Sequence, residues 1–334
     1  MEVLLDSRQS IYTLITGIYT RNIQVNQISI QFTSIIQDRD SFIAQLLIAL
    51  FSNYTGIYEL QLINLPPLDT NGELDLFQVI ATNKSIRRLL IRWRTGSSNE
   101  GDVLTEGLTL MCQKGGLLQH LDISYGNITS DSWLLERIPG YTCIEELNLS
   151  SSNLDGSNIA DLVIGLTNLR FLNISNCNLG LNPLATLRIL FNQNLRWLNL
   201  SNNNLSNQKA YFDIFEFIAC NLSQIIQEGV SQCALEYLDL SNNGLDSSEI
   251  ISVLHGILQN QTIISLDLRN NGYDFNSGID NAILEIFEVN TSITNIWIDP
   301  GRITQNTSQM IMESILLHSE SNELERLTRN LHIS

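Results

Sequence analysis

Ile144-Glu145-Glu146-Leu147-Asn148-Leu149 is answered by Leu169-Arg170-Phe171-Leu172-Asn173-Ile174 and by Leu195-Arg196-Trp197-Leu198-Asn199-Leu200. The runs start 25 and 26 residues apart. Each is followed by a polar or small residue and a further Leu: Ser152 and Leu154, Cys177 and Leu179, Asn203 and Leu205. Alternation such as Leu147-Asn148-Leu149 predicts a short strand with its apolar side chains on one face. One such strand cannot bury that face alone. Stacked units make a continuous core and a parallel sheet. The polar residue after the strand falls where the chain leaves the sheet, and an inward-facing Asn there can pair the buried backbone groups of the turn. Cys177, Asn203, Asn243 and Asn271 hold that position.

Working outward, the same run begins at Val25, Ile57, Ile86 and Leu118, and again at Leu235, Ile263 and Ile293. The early units put Leu65, Arg94 and Gly126 at the turn, which predicts a less regular turn there. Pro66-Pro67 should stop the second unit's strand. Residues 25–303 thus form about ten repeats, interrupted at 207–234, because Leu195 and Leu235 are 40 residues apart. Helices are predicted over Ser41–Phe51, Ser157–Leu166, Pro183–Phe191, Ser247–Leu258 and Asn281–Val289. Residues 1–24 do not match the repeat. Ile11, Leu14, Ile15 and Ile18 share a helical face there, so an N-terminal capping helix is expected. Residues 304–334 should form a C-terminal capping helix from Thr307 and a polar tail.

The spacing resembles the leucine-rich repeat family, whose signature is L-x-x-L-x-L-x-x-N/C-x-L. Units near 28 residues with helices resemble its ribonuclease-inhibitor-like class, which includes the repeats of NOD-like receptors and of the Ran GTPase-activating protein. The resemblance implies an α/β fold: a curved horseshoe solenoid with a parallel concave sheet, convex helices and helical caps. It implies a non-enzymatic scaffold for protein–protein interaction. The likeness to the Ran GTPase-activating protein implies an alternative, regulation of a small GTPase. None of that protein's functional residues is carried over to a position here.

Composition narrows the partners. The net charge of −17 over 334 residues repels phosphate backbones, so nucleic acid is not the expected ligand. Five Cys show no Cys-x-x-Cys clustering for zinc, and Cys177 reads as a buried structural thiol. No disulfide-bonded cap is visible, which points to a reducing compartment. Met1–Ile11 lacks the pattern of a secretory signal, and Ile43–Phe51 is too short to cross a bilayer. Asn-x-Ser/Thr triplets such as Asn148-Leu149-Ser150 read as chance in an Asn- and Ser-rich chain. A stand-alone array of this composition also resembles bacterial effectors delivered into host cells. That resemblance implies a cytoplasmic protein, or one exported without a classical signal into host cytosol, acting as a virulence factor on a eukaryotic host protein. No P-loop, dinucleotide motif or metal spacing occurs, so no cofactor is expected. A monomer is expected.

Side chains flanking the inward Leu should face out of the sheet in columns. The first column reads Glu59, Arg88, His120, Glu146, Phe171, Trp197, Tyr237, Ser265, Asn295. The second reads Gln61, Leu90, Asp122, Asn148, Asn173, Asn199, Asp239, Asp267, Trp297. Phe171, Trp197 and Tyr237 then fall on successive strands roughly 5 Å apart. They and Trp297 are the expected partner contacts, with Arg170 and Arg196 as orienting charges. Rigid aromatics of this kind often anchor interfaces. Arg87, Arg88, Arg92 and Arg94 surround Trp93. That cluster is either a seat for an acidic peptide or phosphate, or is balanced by Glu59, Glu145 and Glu146. Of four His, only His120 falls on this face, beside Asp122. No Ser or Cys nucleophile accompanies it.

Overall fold

The computed structural model describes residues 2–5, 26–32, 56–66, 83–93, 117–126, 143–154, 165–179, 194–206, 234–258, 260–274 and 277–313, with positions 13, 16–17, 45, 47–48, 76, 79–80, 159, 163 and 189. The chain divides into two compact units, Met1–Asn192 and Gln193–Ser334.

In the first unit the strands are β1 (Glu2–Leu5), β2 (Gln27–Phe32), β3 (Glu59–Leu65), β4 (Arg88–Trp93), β5 (His120–Asp122), β6 (Glu146–Asn148) and β7 (Phe171–Asn173). Each pairs in parallel with the next in chain order. Leu60, Leu89, Leu121, Leu147 and Leu172 share one register line, and all are buried. Their neighbours on the opposite face stay half-buried or exposed, which is the period-2 pattern read from the sequence.

β1 differs from expectation. The segment 1–24 was expected to be a capping helix, yet it opens with a strand whose Val3 and Leu5 lie in register with buried Ile30 and Phe32. An edge strand of a solenoid gains a full ladder of backbone hydrogen bonds by accepting one more neighbour, whatever follows it in sequence. Helical geometry is present at Thr13, Thr16 and Gly17.

The second unit has β8 (Trp197–Asn199), β9 (Tyr237–Asp239), β10 (Ser265–Asp267) and β11 (Asn295–Trp297), again parallel. Two helices alternate with them, α1 (Ser247–Leu258) and α2 (Ser277–Val289). α1 has the bounds expected. α2 starts four residues earlier than read, because Ser277-Gly278 hides its first turn from a propensity argument. Ile250, Leu254, Ile257, Ile279, Ile283 and Ile286 bury the helix faces against the Leu rows of the strands. A last helix, α3, covers 305–313, with Thr304 Oγ1 accepting from Thr307 N at 3.2 Å. The remaining predicted helices lie mostly outside the described residues. Helical geometry is present at Gln45, Leu47, Ile48, Ile159 and Val163. The insertion 207–234 lies outside them but for Ala234.

The asparagine ladder is present in the second unit. Asn203, Asn243 and Asn271 are buried. Asn243 Nδ2 donates to Leu200 O and Leu240 O, each at 3.0 Å, and its Oδ1 accepts from Asn203 N at 2.9 Å. Asn271 repeats this one unit on, taking Asn243 N at 2.9 Å. Each side chain thus pairs backbone groups of its own turn and of the preceding one. In the first unit Cys177 takes the place, its thiol donating to Leu149 O at 3.2 Å. Burial pushes that thiol's pKa up to about 12, which suits a structural donor.

Several of the Asn-x-Ser/Thr triplets coincide with turns. Asn148, Asn173 and Asn199 each accept the backbone N–H two residues on, at 3.1, 3.1 and 2.8 Å. Asp122 and Asp239 do the same to Ser124 and Ser241. These Asx turns end the strands. A second set, Asn83, Asn260 and Asn290, turns the chain from helix into strand by the same bond.

Candidate functional site

Within each unit the registers confirm the columns. Glu59, Arg88, His120, Glu146 and Phe171 follow one another across β3 to β7, and Gln61, Leu90, Asp122, Asn148 and Asn173 run beside them. All of these but Asn173 line a cleft of about 290 Å³ on the open face of the first unit's sheet. Asp122 is its most heavily bonded acid. Arg92 grips both carboxylate oxygens, at 2.6 and 2.8 Å, and Asn148 Nδ2 adds a bond at 3.0 Å. Burial alone would raise this carboxyl. The bonds from Arg92 and Ser124 outweigh it and hold the pKa below the ordinary carboxylate value. His120 Nδ1 lies 2.5 Å from Glu146 Oε2. The contact does not have the geometry of a hydrogen bond, and Nδ1 has no hydrogen-bond partner among the described residues.

Among the described residues of the predicted basic cluster, Arg87 is set apart from Arg88 and Arg92. Alternation along β4 sends Arg88 and Arg92 to the open face, Arg92 to Asp122 and over the Tyr125 ring at 5.8 Å, Arg88 toward Glu146 at 3.5 Å. Arg87 turns back to Lys84 O at 2.9 Å. The Trp93 side chain and Arg94 lie outside the described residues. The acids that balance Arg92 and Arg88 are Asp122 and Glu146.

In the second unit, Trp197 and Tyr237 stack with centroids 5.0 Å apart. Trp297, two strands beyond Tyr237, leans across the short side chain of Ser265 to within 6.0 Å of the tyrosine ring at 59°. All three rings remain half-exposed. Asp239 and Asp267 are buried at their base. Arg269 holds Asp267 with bonds of 2.5 and 3.0 Å and lies over the Trp297 ring at 5.9 Å. Sequence reading missed Arg269; its signal was an Arg two places after a column Asp. Burial first, then Asp239 and Asp267, raises the Tyr237 hydroxyl pKa. Burial and the Asp267 charge likewise raise Asp239, against the bonds from Ser241.

The ladder geometry and the strand spacing meet an independent finding. A family description for the Leucine Rich Repeat matches residues 168–188, 194–212 and 234–257. Those three stretches carry leucine-rich repeats. Among solved structures, one titled Leiomodin-1 Actin-Binding Site 2 is similar at 13% identity and a TM-score of 0.38, over 60% of this chain and 95% of that one. A protein from Bacteroides fragilis is similar at 15% identity and a TM-score of 0.45, over 91% and 74%. No curated protein sequence matches.

The leucine-rich-repeat array places the expected contact residues in two groups. Phe171 closes one end of the first unit's cleft. Trp197, Tyr237 and Trp297 form the second unit's cluster. Arg196 pairs with Glu236 at 2.7 Å, both well exposed. Arg170 is exposed, with only its backbone bonded among the described residues. No group of three or more His, Cys, Asp or Glu able to hold a metal occurs among the described residues. No helix among them is long and apolar enough to cross a membrane.

Proposed function

We propose that this leucine-rich-repeat array is a non-catalytic scaffold that takes a partner protein on the open face of its sheet. The observation that carries the reading is the Trp197–Tyr237–Trp297 cluster. Three large rings are held by packing on short strands, half in solvent, on or beside the strands that carry the buried Asp239 and Asp267. Side chains already ordered in the free protein lose little entropy on binding, and such anchors contribute about 2 kcal/mol or more each. The two acids and the overall charge of −17 select a partner whose apolar spot is rimmed by basic groups. Composition supports the finer reading that the partner is a eukaryotic host protein and the chain a bacterial effector in host cytosol.

Affinity capture from eukaryotic and bacterial lysates, with mass-spectrometric identification, tests this. The wild type is run beside a Trp197→Ala/Tyr237→Ala variant of verified fold. A eukaryotic protein retained by the wild type and lost by the variant is the expected result, with affinity falling at least about thirtyfold. A partner held equally by both would overturn the assignment to this cluster.

A further inference from the structure

Arg88 stands in register between Glu59 on β3 and His120 on β5, and reaches past the histidine toward Glu146 on β6. The contact is loose at 3.5 Å, between side chains 44% and 41% exposed. The oxygen it approaches, Oε2, is the one His120 already crowds at 2.5 Å. Glu146 Oε1 accepts nothing among the described residues. Glu59 is used as unevenly: Gln27 and Gln61 both donate to its Oε1, at 3.0 and 2.6 Å. Asp122, in the same cleft, is saturated by Arg92, Ser124 and Asn148. The cleft therefore presents two carboxylates with spare acceptor capacity and one weakly held guanidinium between them. Phe171 and Leu90 add apolar wall.

Its volume of about 290 Å³ is at the lower limit for small-molecule sites, which begin near ~300 Å³. It suits one long side chain better than a cofactor. An acidic group entering it would meet Arg88 but also the carboxylates of Glu59 and Glu146, in the field of a chain of net charge −17. A cationic one finds a carboxylate, an aromatic face and a favourable field.

We propose that this cleft receives a single arginine or lysine side chain of the partner, its head on Glu146 and its stem along Phe171, and that Arg88 is the placeholder it displaces. The inference rests on the partner-binding reading, and it reverses the role expected of Arg88: the residue competes with the partner instead of contacting it.

The test needs no identified partner. The intact protein is titrated with N-acetylarginine amide and N-acetyllysine amide, with N-acetylglutamate amide as the acidic control, while NMR follows the His120 ring signals. Saturable shifts with the cationic probes are expected. They should weaken at least tenfold in Glu146→Gln and tighten at least twofold in Arg88→Gln, with the backbone amides of Asn243 and Asn271 unmoved as a check on folding. No saturable shift, equal binding of the glutamate probe, or weaker binding in Arg88→Gln would each overturn the inference. Those results leave capture through Trp197 and Tyr237 standing. A partner held equally by the wild type and the Trp197→Ala/Tyr237→Ala variant, with probe binding intact, would instead overturn the reading of the aromatic cluster alone.

Discussion

Trp197 and Tyr237 lie face to face on adjacent strands, their ring planes 2° from parallel and their centroids 5.0 Å apart. A parallel strand pair brings register partners close enough for this, and β8 and β9 set these two residues opposite each other. The stack contributes to folding before any partner arrives. A double-mutant cycle on Trp197→Ala and Tyr237→Ala, measured by urea unfolding, should return a coupling of about 0.5–1.5 kcal/mol. A coupling near zero would mean that the rings touch without holding each other.

The ladder makes a stronger demand. Asn243→Ala removes the donor to Leu200 O, Leu240 O and Ser241 O and the acceptor for Asn203 N. Each buried group left unpaired costs about 1–3 kcal/mol, so a loss of at least about 3 kcal/mol is expected. The adjacent Asn242 is exposed with φ of 55°, a backbone conformation that glycine adopts freely. Asn242→Gly should leave stability within about 0.5 kcal/mol. Thermal unfolding of the two variants side by side separates a ladder residue from its neighbour.

Cysteine labelling reads the same architecture chemically. Cys143 is exposed and Cys177 buried. With its pKa near 12, Cys177 carries almost no thiolate at pH 8. Iodoacetamide on the native protein should modify Cys143 and spare Cys177, which should react only after unfolding. Modification of both at equal rates would contradict the placement of Cys177 in the ladder.

The inward Leu rows were legible because burial fixes their period and every strand repeats it. The columns followed, since parallel pairing carries a register unchanged from unit to unit. β1 was not legible: Glu2–Leu5 lacks the downstream turn residue and Leu that mark a full repeat, and its pairing is decided by the open edge of β2. The Asx turns were hidden for a different reason. Asn148-Leu149-Ser150 is a two-residue bond that composition can mimic, and it acquires meaning only from the strand end it closes. The Arg92–Asp122 pair was missed because Arg92 lies one alternation beyond the columns, on a strand longer than its neighbour.

Within the second column, Asp122 and Asp239 should respond to the same substitution with opposite signs. Both carboxylates accept the turn N–H, from Ser124 and Ser241, and an Asn can do this equally well, as Asn148, Asn173 and Asn199 show. What differs is the charge. Asp122 has a folded pKa lowered by Arg92, so its ionised form stabilises the native state at pH values above the unfolded carboxylate pKa of about 3.9. That stability is lost as pH falls through the folded value. Asp122→Asn should therefore cost about 1–2 kcal/mol at pH 7, the worth of a half-buried charge-assisted pair. Asp239 has a folded pKa raised by burial and by Asp267, so its ionised form costs stability at neutral pH. The cost fades as pH falls toward the folded pKa and the native carboxyl takes up its proton. Asp239→Asn should raise the unfolding temperature at pH 7, and the gain should shrink on acidification. Destabilisation by Asp239→Asn at pH 7 would show that its charge is compensated by Arg269 more fully than the burial of the carboxylate allows.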